Sequence, residues 1–350
     1  MSTRVLVVDD SITMRALFTD VLERTEGIAV VGAAANADEA RDMIAELKPD
    51  VLTLDVEMPG KSGLEFLEEL MASKPMPVVM LSTLTQKGAQ TSFKALELGA
   101  VDCFPKPQQA TPAEFDKIVD KLGKLVIAAA SGKVKAKTAK EAAPAAAAIS
   151  ERAYQWNGKL VAMSASTGGV EAISELLASF PANCPPTIVL QQMEAGFAEP
   201  FTAKLNDKIK PNVVVATDGV KLEQGTVYVV ADPEKHAVID RWPEASIRLL
   251  GNDPVQGFRP SADLLFATIA KTAGANGIGM ILTGMGRDGA NGLKALRGAG
   301  GKTFAQDKDS CMVYEAAAAA VAQGAVEQQL PLDGLAAAAL GAAGTLAKAA

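Results

Sequence analysis

Histidine is almost missing from this chain: one, His236, stands among 350 residues. Any reaction that needs an imidazole base must use that residue or do without. Cysteine is nearly as scarce. Cys103, Cys184 and Cys311 form an odd, scattered set without CxxC or metal-ligand spacing, which excludes a disulfide framework and a zinc site and leaves reduced core thiols. Positive charge is not in excess either. Lys and Arg number 34 against 41 Asp and Glu, a formal net charge of −7, so no broad footprint for nucleic acid or anionic membrane is expected. No apolar run reaches the roughly 18 residues of a membrane span. The acidic pair that closes MSTRVLVVDD is unlike a secretory leader. The expectation is a cytoplasmic protein with no membrane insertion and no nucleic-acid partner.

Apolar residues are plentiful. At 49% hydrophobic content the chain can fill two cores, since single cores seldom grow past roughly 250 residues. Residues 1–125 alternate short apolar runs (RVLVV, IAVVG, VLTL, PVVML, VDCF) with helical spacing such as Ile12, Leu17, Phe18, Val21 and Leu22. This predicts an α/β fold with five βα units, a parallel sheet and helices on both faces. Lysine, alanine and one proline dominate residues 131–150 (SGKVKAKTAKEAAPAAAAIS), and 126–156 reads as a linker. A second, doubly wound α/β domain is predicted over 157–330, with strands at KLVAM, TIVLQ, NVVVA, TVYVV, SIRLL and GIGMIL. Residues 331–350 read as an alanine-rich helix.

In a parallel sheet, ligands gather at the carboxyl ends of strands. There the first domain places Asp9 and Asp10, Asp55, Ser82 and Lys106. Crowded carboxylates repel, and a hard divalent cation with oxygen ligands, usually Mg²⁺, relieves them. Asp55 could then accept a phosphoryl group, with Lys106 stabilising the transferring charge and Ser82 bonding a phosphoryl oxygen. Each residue also has a plainer reading: Asp10 or Ser11 as a helix cap, Asp55 as a cap on the Met58-Pro59-Gly60 turn, Lys106 as a solvated loop charge. The segments VLVVDD, TLDVEMPG, MLST and FPKP together resemble a flavodoxin-like response-regulator receiver domain. The resemblance implies phosphorylation of Asp55 by a histidine kinase. It also implies Mg²⁺ held by Asp9, Asp10, Asp55 and the carbonyl of Glu57, and a cis bond at Lys106-Pro107. Where receivers carry an aromatic switch residue, this chain has Cys103, beside Phe104.

In the second domain KLVAMSASTGGVEAI reads strand, turn, helix, with Ser166 in the turn. Gly168 and Gly169 allow close backbone approach, and amides at the helix start suit a developing oxyanion. A phosphate cradle or a plain helix cap would read the same way. The loop GMILTGMGRDGANGL adds Asp288, which also suits an N-cap of the helix that follows. SASTGGVEAI, RPSADLLF, LTGMGRDGA and AQDKDSC, behind a receiver and a tether, resemble the CheB methylesterases of chemotaxis. The resemblance implies that Ser166 attacks the methyl ester of a receptor glutamate or the amide of a glutamine. In that family the residue matching Asp288 orients a histidine, and those matching Thr167 and Met285 lie at the active centre. The implied partners are a chemotaxis histidine kinase and methylated chemoreceptors.

The family's histidine stands in a motif close to Gln-His-Met-Pro-Pro-Gly-Phe, and here the text is QQMEAGF: Gln192 takes its place, with Glu194 and Ala195 for the prolines. Glutamine can accept or donate a hydrogen bond but cannot take a proton at neutral pH. Glu194 is the nearest substitute base, whereas His236 reads as a solvated residue in a turn before a strand. The family's later Gly-Met-Pro is also replaced, by Glu315-Ala316-Ala317. Two readings stay open: a phosphorylation-gated methylesterase and glutamine deamidase with a substitute base, or a phospho-switched binding module or phosphate sink with little hydrolysis.

Overall fold

The computed structural model describes residues 2–83, 86–107, 112–132, 154–194 and 196–346. Most of the linker reading, residues 133–153, and Ala195 lie outside them. The chain divides into two compact units between residues 141 and 142.

The first unit runs β1 (Thr3–Val8), α1 (Ile12–Glu23), β2 (Ile28–Ala34), α2 (Ala37–Leu47), β3 (Val51–Asp55), α3 (Gly63–Ser73), β4 (Val78–Ser82), α4 (Gln86–Leu98), β5 (Asp102–Pro105) and α5 (Pro112–Ser131). Its sheet is parallel in the order β2-β1-β3-β4-β5, and every residue of β3 and β4 is buried. Strands covered on both faces must be apolar throughout, which is why these runs do not alternate. Helix starts are written locally. Ser11 caps α1 by accepting from the Met14 amide, and Ser62 with Glu65 forms a capping box on α3. Gly63 lets α3 begin hard against β3: a Cβ there would stand 1.8 Å from the Asp55 carbonyl oxygen.

The second unit begins with β6 (Tyr154–Trp156), β7 (Leu160–Ala165), α6 (Gly169–Leu177), β8 (Thr187–Gln191), α7 (Ala198–Lys208), β9 (Asn212–Val215), β10 (Thr226–Val230), β11 (His236–Ile239) and β12 (Ile247–Leu250). It continues through α8 (Ala262–Thr272), β13 (Gly277–Ile281), α9 (Ala290–Gly298), β14 (Lys302–Gln306), α10 (Glu315–Ala322), β15 (Gln328–Leu330), α11 (Leu332–Ala343) and β16 (Gly344–Leu346). The main sheet is parallel in the order β15-β14-β13-β7-β8-β10-β9. From β7 the chain first builds toward β8 and then returns to β7's other side at β13. The β7–β13 boundary is therefore a topological switch point, where the strand ends open a crevice.

Several details differ from expectation. SIRLL, expected among the domain's alternating strands and helices, supplies β12 of a separate antiparallel hairpin with β11. The strands β6, β14, β15 and β16 were not anticipated. His236 is no solvated loop residue. It is the first residue of β11 and fully buried, because the turn through Asp232 and Pro233 ends before it and its ring packs inward. Among the described residues the cis peptide bonds are Trp242–Pro243 and Arg259–Pro260, and Lys106–Pro107 is not one; trans is the ordinary preference of an X–Pro bond by about 0.5–1 kcal/mol. The alanine-rich helix α11 is docked, with Leu335, Ala336, Ala339, Leu340 and Ala343 at i, i+1, i+4, i+5 and i+8 all buried. After it, β16 pairs antiparallel with β6, joining Leu346 to Tyr154, and the Tyr154 hydroxyl donates to the Leu340 carbonyl. All three cysteines are free and buried, and burial pushes the Cys184 and Cys311 thiols up to about 12.

Candidate functional sites

At the switch point of the first sheet, between β1 and β3, Asp9 and Asp55 lie side by side. Their carboxylate oxygens and that of Asp10 all fall within 4.8 Å of one another. Lys106, just past β5, reaches both buried acids, with Nζ at 2.7 Å from Asp9 Oδ2 and 2.7 Å from Asp55 Oδ1. The Glu57 amide donates to Asp55 Oδ1 at 3.2 Å, and the Ser11 amide to Asp9 Oδ1 at 2.9 Å. Ser82 ends β4, buried, and its carbonyl accepts from the Lys106 amide. Asp10 is exposed and does not cap α1, since Ser11 does. Burial raises the Asp55 carboxyl to about 6, assisted by the Asp9 charge and opposed by Lys106 and the Glu57 amide. Burial alone would lower Lys106, but its bonds to Asp55 and Asp9 outweigh that and raise it. Lys106, and Arg15 whose guanidinium donates to the Asp9 and Asp10 carbonyls, stand against three carboxylates, and an all-oxygen donor set of this kind fits a hard divalent cation. Cys103, at the position expected to carry an aromatic ring, is buried with its thiol donating to the Ser92 carbonyl.

The second switch point brings four segments together. Ser166 follows β7, Gln192 follows β8, and Thr283, Gly284, Met285 and Asp288 follow β13; with Ala316 they line one small cleft. The Ser166 amide donates to the Thr283 carbonyl at 3.1 Å, and the Met285 amide donates to Ser166 Oγ at 2.9 Å. Gly284 permits that contact, because a Cβ would stand 2.4 Å from Ser166 Oγ. The amides expected to be free at the start of α6 are not all so: that of Gly169 donates to the Ser166 carbonyl at 2.8 Å. An amide of the second loop, Met285's, is the one that points at the serine oxygen. Thr167 is buried, and its carbonyl lies 3.0 Å from the Thr283 hydroxyl.

Asp288 does not cap the helix that follows it. α9 begins at Ala290, and its N-cap residue, Gly289, supplies no capping side chain. Asp288 reaches across to α8: Oδ2 accepts the Ala262 amide at 2.7 Å, and Oδ1 accepts the Asp263 amide at 3.0 Å and the Ser261 hydroxyl at 2.9 Å. Asp263 returns the favour, accepting from the Gly292 amide and from Asn291 Nδ2 in the first turn of α9. Two helices are thus capped by each other's carboxylates. The fourth donor to Asp288 is Gln192, whose Nε2 lies 2.9 Å from Oδ2 and 3.2 Å from the Pro260 carbonyl. Burial, foremost, holds the Asp288 carboxyl above its usual range, against the lowering effect of these donors.

Glu194 is exposed and is not among the residues lining the cleft, and neither is His236. Glu315 was read only as a departure from the family text; its Oε2 accepts the Gly286 amide at 2.8 Å and so ties the start of α10 to the serine's neighbouring loop. Ser261 was missed too, although Ser-Ala-Asp before an apolar run is an N-cap signature.

The comparisons fit this geometry. A family model described as CheB methylesterase matches residues 161–339, and one described as response regulator receiver domain matches 5–120. The chain is 47% identical over 329 residues to a protein-glutamate methylesterase/protein-glutamine glutaminase of Agrobacterium fabrum, covering 94% of this chain and 93% of that one. The chain belongs to the CheB methylesterase family. A second member, from Caulobacter vibrioides, is 47% identical over 332 residues, covering 95% of each chain. The CheB methylesterase catalytic domain of Thermotoga maritima, a crystal structure, superposes with a TM-score of 0.51 at 28% identity, covering 53% of this chain and 98% of that one. Among the described residues no helix is long and apolar enough to cross a membrane.

Proposed function

We propose that this CheB-family protein is a cytoplasmic, phosphorylation-responsive partner of methylated chemoreceptors whose serine cleft binds its target but hydrolyses it weakly. One observation carries the reading. Both amide hydrogens of Gln192 have acceptors, Asp288 and the Pro260 carbonyl, so the side chain has only its carbonyl oxygen left to offer Ser166. An amide oxygen can align a hydroxyl, but it cannot remove the proton. The direct test is methanol release from methylated chemoreceptor by the phosphodonor-treated protein beside Ser166→Ala. We expect the two to agree within about threefold, since without the base only binding and backbone donors remain. Release far above the Ser166→Ala background would show that a substitute base exists and overturn the reading.

The input is Asp55, fed by a chemotaxis histidine kinase. Asp9, Asp10 and Asp55, with the Glu57 carbonyl, would hold Mg²⁺, which supplies positive charge for the transferring phosphoryl group. Lys106 orients the Asp55 carboxylate through its 2.7 Å contact and neutralises charge from the other side, while Ser82 stands at the neighbouring strand end. Asp55→Asn should abolish uptake of hydroxylamine-labile phosphate from acetyl phosphate and Mg²⁺. Normal stoichiometry in that variant would place the nucleophile elsewhere.

A further inference from the structure

His236 is the sole histidine, and it lies at the back of the serine cleft rather than in it. Its ring is fully buried at the start of β11, the strand that packs on α8. Nδ1 faces the Ser261 amide at 3.2 Å and Nε2 faces the Asp253 carbonyl at 3.1 Å. An amide can only donate and a carbonyl can only accept, so the partners dictate the tautomer: the proton sits on Nε2 and Nδ1 is the acceptor. Ser261 is the N-cap of α8, and its hydroxyl and the two amides that follow are three of the four donors to Asp288. The fourth donor is Gln192. A continuous chain of hydrogen bonds, buried as far as Asp288, therefore runs from His236 through Ser261 to Asp288 and on to Gln192, which lines the cleft with Ser166.

We propose that His236 is a positioning residue for the serine cleft. Its Nδ1 fixes the Ser261 amide, which sets the first turn of α8 and through it the orientation of the Asp288 carboxylate toward residue 192. This rests on the cleft being the functional site. It differs from a packing role in one respect: what matters is an acceptor at the Nδ1 position, not the ring's volume. Asparagine can place its Oδ1 there, whereas leucine fills space without accepting.

Because the chain holds one histidine, histidine-selective ¹⁵N labelling reads this ring alone. We expect a protonated Nε2 and an unprotonated Nδ1 in the intact protein at neutral pH, and the opposite tautomer would overturn the proposal. His236→Leu and His236→Asn are then made in the Gln192→His background, and Ser166 labelling by a fluorophosphonate probe is followed. Misplacement of a catalytic group by about 1 Å can cost a hundredfold. His236→Leu should accordingly slow labelling at least ~10-fold, with His236→Asn staying within ~3-fold of its parent. Equal losses in both variants would mean packing only and would sink the idea. If Gln192→His itself never labels faster than the wild type, the cleft lacks more than a base, and the positioning claim is judged separately by melting His236→Leu, Asp288→Asn and the double variant. Effects that are clearly less than additive are expected for residues on one path, and additive effects would refute it.

Discussion

Replacing Gln192 with histidine is expected to raise Ser166-dependent methanol release by at least ~10²-fold, because loss of histidine from such a system costs on the order of 10⁴ to 10⁶ in rate. The setting for an imidazole is already built. The Gln192 amide nitrogen lies 2.9 Å from Asp288 Oδ2, a carboxylate that is buried and held by three further donors, so a ring N–H placed there would be oriented as soon as it arrived. The other ring nitrogen would then be available to the hydroxyl, whose oxygen is held by the Met285 amide. A Gln192→His protein no faster than its Ser166→Ala counterpart would show that the cleft has been rebuilt for binding beyond the loss of one base.

The second large effect is on stability. Asp288→Ala should destabilise the second unit by about 3–5 kcal/mol, because it strands two buried amides, a hydroxyl and a side-chain amide, each costing roughly 1–3 kcal/mol when left without an acceptor, with some relief from water. Ser166→Ala, by contrast, removes one acceptor from one amide and should cost no more than about 1 kcal/mol. Both tryptophans, Trp156 and Trp242, belong to the second unit, so tryptophan emission during urea unfolding reports on it selectively. A drop for Asp288→Ala no larger than that for Ser166→Ala would contradict the cross-capping account. On the proposed reading, the account also explains why Asp288 can be kept beside a glutamine at position 192. Its helix-capping duty does not depend on the base.

The sequence carried the parallel sheets and the acidic pocket openly, because a strand buried on both faces writes itself as an unbroken apolar run and the residue after it falls at the sheet's edge. Asp9, Asp55, Ser82 and Lys106 were placed by that rule alone. What stayed hidden was long-range or compositionally faint. Asp288 and the α8 amides it caps are some 25 residues apart, and no local signature couples them. His236 follows Asp-Pro-Glu-Lys, a turn composition, and only the pairing of β11 with β12 reveals that the turn has ended. Short strands such as Gln328–Leu330 and Tyr154–Trp156 owe their state to a neighbour rather than to their own residues.

The pairing of β16 with β6 brings residue 346 opposite residue 154, so the described part of the second unit begins and ends at the same spot. A unit whose described ends meet can be rewired: a short connector from Leu346 to Tyr154 would close it into a ring, and new ends could be cut in an exposed loop such as the one through Ala299 and Gly300, at the amino end of β14 and away from the crevice at the β7–β13 boundary. The order in which this domain's parts are written along the gene is therefore separable from the shape they make.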